Sequence, residues 1–398
     1  MSAEIFAVLA ATAILLLAVS SPLANPFFVW KKRKLPACPI PTSTLSPVSV
    51  LVIPNRNAEA LREHLPVILR QEYAGDMQVV VVTEKGDTET EDALTAFETD
   101  SRLYVTYIPE SSRYISRKKL AITLGVKAAK HEWIVLIDAE SCPETSQWLS
   151  AISRNFTPDK NLVLSYCHTP GATSFQRFCQ LRLVCQLMRQ AVPWRAIGGC
   201  LAFRKSLFLD RHGYRQNLQF VGGEYDFLVS LFASKDSTTI EMSPEAYVKE
   251  DAPTKRRWRN SQLQYLSIRG HLKKTVLARM RFNLENALMF LTDIAMLAGL
   301  LAPLASIPSD APTPAAFHLS SLISNTTGQW IVFGTALLSI FVNTFLRIRF
   351  AKKAAERRNE RLPLPMIPFY ERVLPLHHLL RLYQYRRSDK TDYSTHKV

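Results

Sequence analysis

Hydrophobic and polar positions along this chain fall into two regimes. Three stretches are apolar almost without interruption, and a long middle region alternates short apolar runs with amphipathic segments. Residues 5–20 (IFAVLAATAILLLAVS) carry no charge, and with the next few residues they reach the roughly 20 needed to cross a bilayer core. Residues 287–307 and 330–346 form two further apolar runs. Lys31, Lys32, Arg33 and Lys34 follow the first run, Lys273, Lys274, Arg279 and Arg281 precede the second, and Arg347, Arg349, Lys352 and Lys353 follow the third. Residues 308–329 hold no Lys or Arg. The positive-inside rule then predicts the N-terminus outside, 31–286 inside, a short outer loop and 347–398 inside. A signal peptide carries its positive charges before the apolar run, and residues 1–4 have none, so the first run reads as an uncleaved anchor.

The middle region predicts an α/β domain. Residues 48–53 (VSVLVI) form a continuous apolar run, as a strand buried on both faces does. Helical spacing follows over 58–72 through Leu61, Leu65, Ile68 and Leu69. A strand at 78–82, a helix at 88–97 opened by Asp87 and Thr88 as caps, a strand at 103–108, a helix at 118–130 and a strand at 133–137 (WIVLI) continue the alternation. Such alternation with short connections means a mostly parallel sheet flanked by helices. The predicted organisation is an anchor over 1–30, a basic and Pro-rich linker over 31–47, a soluble domain over 48–275, a transmembrane hairpin over 276–347 and a basic amphipathic tail over 348–398.

Composition adjusts this picture only in places. With 49 Lys and Arg against 34 Asp and Glu in 398 residues, the net charge is +15. The polybasic membrane flanks and the tail account for much of it, so nucleic-acid binding is not needed to explain the charge. In the tail, Phe369, Tyr370, Leu374, Leu376, Leu379, Leu380, Leu382 and Tyr383 alternate with Arg372, Arg381, Arg386 and Arg387. That pattern suits an interfacial helix on anionic lipid, or one packed on the soluble domain. Six scattered cysteines (Cys38, Cys142, Cys167, Cys179, Cys185, Cys200), with no CxxC pair, read as free thiols in a reducing compartment. Asp293, an acid within an apolar run, is costly there; it reaches an interface or a neighbouring helix, or else belongs to a translocation path.

In doubly wound sheets ligands bind beyond the carboxyl ends of the strands. Those positions hold Pro54-Asn55-Arg56-Asn57, Thr83-Glu84-Lys85-Gly86-Asp87 and Asp138-Ala139-Glu140. Two carboxylates two positions apart at the tip of a buried strand suit one Mg²⁺ or Mn²⁺ that keeps positions open for phosphate oxygens. Arg113, Arg117, Lys118 and Lys119 gather at the start of a predicted helix, where cations and the helix terminus both favour phosphate.

The ordered segments VSVLVIPNRNAEALREHLPVILRQEY, QVVVVTEKGDTETEDAL, SRKKLAITLGVKAAKHEWIVLIDAESCPETSQWL, GGCLAFRKSLF and GYRQNLQFVGGEYDFLVSLF resemble family-two inverting glycosyltransferases of the membrane-bound bacterial type, over roughly residues 48–260. The resemblance implies a GT-A (Rossmann-like) fold, a nucleotide-diphosphate sugar donor, most readily a UDP-sugar, and a divalent metal. It implies metal and diphosphate binding by Asp138 and Glu140, a base pocket lined by Pro54 and Asn57, with Glu84 on the uracil or ribose, and Lys118 and Lys119 near the diphosphate. Gly198, Gly199 and Cys200 match the segment beside the acceptor. Two departures stand out. The family draws its general base from an acid pair, whereas this chain reads Gly223-Glu224-Tyr225-Asp226; Asp226 is the first candidate and Glu224 the second. The family's QxxRW motif is represented by Arg257-Trp258 with Thr254 in place of Gln, or by Ser261, Gln264 and Tyr265. The departure disfavours long-polymer synthesis. The expected activity is transfer of a sugar to a lipid-linked or polysaccharide acceptor at the cytoplasmic face of a bacterial inner membrane. The alternatives are a catalytically silent scaffold of the same fold in envelope-polymer assembly and, more distantly, a transporter.

Overall fold

A computed structural model describes residues 3–28, 45–109, 116–273, 276–306 and 326–389. The basic run at 31–34, the linker up to residue 44, Arg113 and most of the outer loop lie outside the described residues. By contacts the chain forms two units, one of Met1–Trp30 with Thr275–Pro375 and one of Lys31–Lys274 with Leu376–Val398.

The first unit contains α1 (Ala3–Ala24), and the second opens with β1 (Val48–Ile53), α2 (Ala58–Leu69), β2 (Met77–Glu84), α3 (Thr88–Thr95), β3 (Leu103–Ile108), α4 (Arg117–Ala128) and β4 (Trp133–Asp138). From β1 to β4, each strand and helix matches a predicted element to within three residues at either end. All six residues of β1 are buried, which is why five of them are apolar and the sixth, Ser49, donates to Gln78 Oε1 at 2.8 Å. Asn57, Asp87 and Ser116 cap α2, α3 and α4 by accepting the N–H of Ala60, Thr90 and Lys119. Beyond β4 come β5 (Ser141–Pro143), α5 (Trp148–Ser153), β6 (Leu162–Ser165), β7 (Cys167–His168), α6 (Ser174–Met188), β8 (Cys200–Arg204), α7 (Lys205–Asp210), α8 (Glu224–Phe232), β9 (Thr238–Glu241), β10 (Val248–Glu250) and α9 (Lys255–Ile268).

Seven strands form one sheet in the order β3-β2-β1-β4-β8-β6-β9, and β5, β10 and β7 form a small second sheet. β1 pairs in parallel with β2 on one side and β4 on the other, with Ile53 opposite Asp138. The chain therefore reverses its winding direction between β1 and β4, and a crevice opens at their carboxyl ends. β8 runs antiparallel to β4, with Cys200 opposite Ile137, so the chain entering β8 arrives at the same end of the sheet. β10 runs antiparallel to β5, placing Glu250 opposite Ser141, three positions after Asp138. The core between sheet and helices is built from β1, β2 and β4 side chains against Leu61, Leu65 and Ile68 of α2 and Trp148 and Ile152 of α5.

The other unit packs α1 with α10 (Val276–Leu301) and α11 (Thr326–Glu356), and the first part of α12 (Ile367–Arg387) belongs to it. Among the described residues, three helices are long and apolar enough to cross a membrane: Glu4–Ala24, Met280–Leu304 and Thr326–Glu356. Large apolar side chains such as Leu16, Ile294 and Phe341 stand exposed on them, as on surfaces that face lipid. Inside, Arg347 is 3% exposed and donates to Asn343, Ser21 and the Glu371 carboxylate, which also accepts from Asn25. Asp293 takes both oxygens to Arg372, at 2.6 and 2.9 Å. It is the neighbouring-helix outcome of the two weighed for this acid.

Candidate active site

The D-A-E turn is held from three sides. Ala139 N–H donates to Ile53 O at 3.2 Å, Asp138 N–H donates to Gly199 O at 3.1 Å, and buried His64 of α2 bonds the Ala139 carbonyl at 2.6 Å. The Asp138 carboxylate is thereby fixed at the end of β4. Lys118 Nζ reaches its two oxygens at 2.6 and 2.7 Å, and Tyr225 Oη donates to Oδ1 at 2.7 Å. Lys118 also lies over the Tyr225 ring at 4.9 Å. Arg257 donates to Glu140, which also accepts from Asn57 Nδ2 at 3.3 Å.

Two acids and two cations thus meet at one crevice, and their charges set one another. Burial works against the Lys118 ammonium, but Asp138, Glu224 and Glu140 outweigh it and raise its pKa. Burial opposes ionisation of Glu140, yet the Arg257 guanidinium prevails and holds its carboxyl below the usual range. Burial and then the Asp138 charge push the Tyr225 phenol well up, so it stays a donor.

Beside the acids, an open, shallow cleft is lined by Pro54, Asn55, Arg56, Thr83, Glu84, Asp87, Arg117 and Lys118 among others. Asn55 and Arg56, which line the cleft, both adopt positive φ, 51° and 60°, and turn the backbone sharply after β1. Glu84 is clamped by Arg56 and Arg117, each at 2.6 Å.

The structure brings together Pro54, Asn57, Glu84, Lys118, Asp138, Glu140, Gly199 and Arg257 of the residues singled out in the sequence. It gives others different duties. Lys119 is fully buried and spends its ammonium on the carbonyls of Asn217 and Phe220 at 2.8 and 2.6 Å, because neighbouring helix positions face about 100° apart. Cys200 faces the core. Trp258 stacks on His377 at 5.0 Å and meets Phe175 edge-on at 6.0 Å. Asp226 is 8% exposed, accepts the Ala196 N–H at 2.9 Å and lies 3.6 Å from Arg195. Glu224 accepts from Ser116 Oγ at 2.9 Å.

Glu250, at the end of β10, escaped the sequence reading. Its Oε1 accepts the Gly199 N–H. A Cβ on Gly199 would lie 3.0 Å from Asp138 Oδ2 and 3.1 Å from Glu250 Oε1, and one on Gly198 only 2.4 Å from Cys167 Cβ. Only glycines allow this close approach. Burial pushes the Glu250 carboxyl up, the Gly199 amide works against that, Asp138 adds to it, and the Cys167 thiol and Lys118 pull it back; the balance is raised. No sequence signal marks this position, since β10 is three residues long and pairs only through distant partners.

No group of three or more His, Cys, Asp or Glu side chains is arranged as a metal cage among the described residues. Asp138 and Glu140 are nevertheless hard oxygen donors, which fits a divalent cation that completes its shell with phosphate oxygens and water.

Fold and site define an α/β protein of the GT-A type, with a crevice suited to a charged nucleotide at the β1/β4 switch point. Residues 47–164, which carry β1 to β4, Asp138 and Glu140, match the family described as "Glycosyltransferase like family 2". The mannosyltransferase PcManGT from Pyrobaculum calidifontis, solved with GDP-Man and Mn²⁺, is 22% identical at a TM-score of 0.51, covering 83% of this chain and 98% of that one. S. aureus TarS 1–349 with UDP-GlcNAc is 14% identical at a TM-score of 0.37, covering 88% and 90%. No curated protein sequence matches this chain.

Proposed function

We propose that this chain is a membrane-bound inverting glycosyltransferase that moves a sugar from a nucleotide-diphosphate sugar to a lipid-linked or polysaccharide acceptor at the cytoplasmic membrane face. The observation that carries the reading is the Asp138–Lys118–Tyr225 cluster set beside the Glu84 cleft at the switch point. The cleft takes the nucleoside, with Glu84 and its two arginines at the ribose or base. Lys118 and Arg257 offer positive charge to the diphosphate, and Asp138 and Glu140 hold the Mg²⁺ or Mn²⁺. When bound, that cation supplies Lewis-acid stabilisation of the leaving diphosphate. The metal and nucleotide in the PcManGT complex support this reading. Membrane helices on both sides of the catalytic segment keep a lipid-borne acceptor at high effective concentration.

Tyr225 at the usual base position favours one rival, a silent scaffold that binds nucleotide without turnover. Calorimetric titration of UDP and GDP into the detergent-purified chain, with and without Mn²⁺ and beside Asp138→Ala, tests the donor site. Metal-dependent binding of one nucleotide, lost in the variant, is expected. A folded protein that binds neither nucleotide refutes the enzyme reading.

A further inference from the structure

Inverting transfer to a hydroxyl needs a carboxylate within reach of the proton being lost. Tyr225 cannot serve, because its phenol donates to Asp138. Asp226 caps the Ala196 amide from a buried position, and Glu224 is engaged by Ser116 at the start of α4. Asp138 and Glu140 are given to the cation and Glu84 to the nucleoside cleft, and a further carboxylate stands at the same crevice. Glu250 is part-exposed, lies against Gly199 beside Asp138, and is held by the Gly199 amide and the Cys167 thiol. An ionised carboxylate has about four lone-pair sites, so these two contacts orient it and leave acceptor capacity free.

We infer that Glu250 is the general base of the transfer. The inference rests on the glycosyltransferase reading above. As the acceptor oxygen bonds the anomeric carbon, its proton passes to a Glu250 oxygen. The bond from that carbon to the diphosphate breaks, and its electron pair leaves on the nucleoside diphosphate. The small β5-β10-β7 sheet then has a catalytic purpose: its antiparallel pairing sets Glu250 opposite Ser141 and so against the end of β4. Gly198 and Gly199 allow the approach that any side chain would block.

The test uses the full chain in detergent micelles, with water as acceptor. Nucleotide release is followed from GDP-mannose and UDP-N-acetylglucosamine, and nucleotide affinity is measured in parallel. Glu250→Gln keeps the acceptor for the Gly199 amide and is expected to lower turnover by about 100-fold or more, with nucleotide affinity within about threefold. Glu250→Asp keeps a carboxylate and is expected to retain more turnover than Glu250→Gln. The reverse order, with the isosteric Gln tolerated better than Asp, identifies a merely structural role and overturns the inference. So does joint loss of nucleotide binding in both variants, or a larger turnover loss in Asp226→Asn or Glu224→Gln. If the wild type releases nucleotide from neither donor, the transferase reading fails first, and this inference with it.

Discussion

Replacing Asp138 by Asn tests whether the site is held by charge as well as by shape. The substitution keeps the side-chain volume and one acceptor oxygen but removes the partner of Lys118, whose Nζ lies 2.6 Å from it. Both side chains are about one-fifth exposed, 19% for Lys118 and 22% for Asp138. Breaking a fully buried pair costs roughly 3–5 kcal/mol, and exposed pairs contribute about 1 kcal/mol or less. Their intermediate exposure places the loss near 2 kcal/mol, part of it from the second oxygen that Lys118 and Tyr225 no longer share. For a domain of this size each 1 kcal/mol moves the melting temperature by roughly 2–4 °C, so Asp138→Asn should melt about 4–8 °C lower. Thermal unfolding in detergent, followed by tryptophan fluorescence, reads this directly. Adding Lys118→Met should restore at least half of the loss, since it removes the stranded ammonium. Unchanged melting in the single variant, or strictly additive losses in the double, would refute the ion-pair account.

Two further outcomes follow from the packing. A Cβ on Gly125 of α4 would lie 2.2 Å from Leu51 Cδ1 of β1, so Gly125→Ala should destabilise by about 1–3 kcal/mol through overpacking and lower the melting temperature; an unshifted melt rejects the close helix–sheet contact. Burial pushes the Lys119 ammonium down to about 8, with Glu224 acting against the shift. Below pH 8 both folded and unfolded states hold the proton and the burial penalty is fully present. Between pH 8 and the unfolded value the folded state alone sheds it, so stability rises with pH. The melting temperature of the wild type relative to Lys119→Met should therefore climb between pH 7 and pH 9.5, and a flat difference would show that Lys119 does not titrate early.

Local pattern made much of this protein legible. Apolar runs named β1 and β4 because strands covered on both faces are mostly apolar. Asp87 as a capping residue placed the start of α3. Long apolar runs named the helices fit for a membrane among the described residues, since length and apolarity are properties of the chain itself. Asp138 and Glu140 could be picked out because they follow a strand that pattern alone identifies. Only tertiary structure decided the division of labour around them. It separated Lys118, on Asp138, from Lys119, on two loop carbonyls 98 and 101 positions away. It set Tyr225 against an acid 87 positions back, assigned Trp258 to packing while Arg257 reached Glu140, and brought Glu250 to Gly199 across a three-residue strand. Periodicity and composition record the preferences of neighbours along the chain. Which charge meets which across the crevice is fixed by strand order and register, and those are written in contacts between segments far apart in sequence.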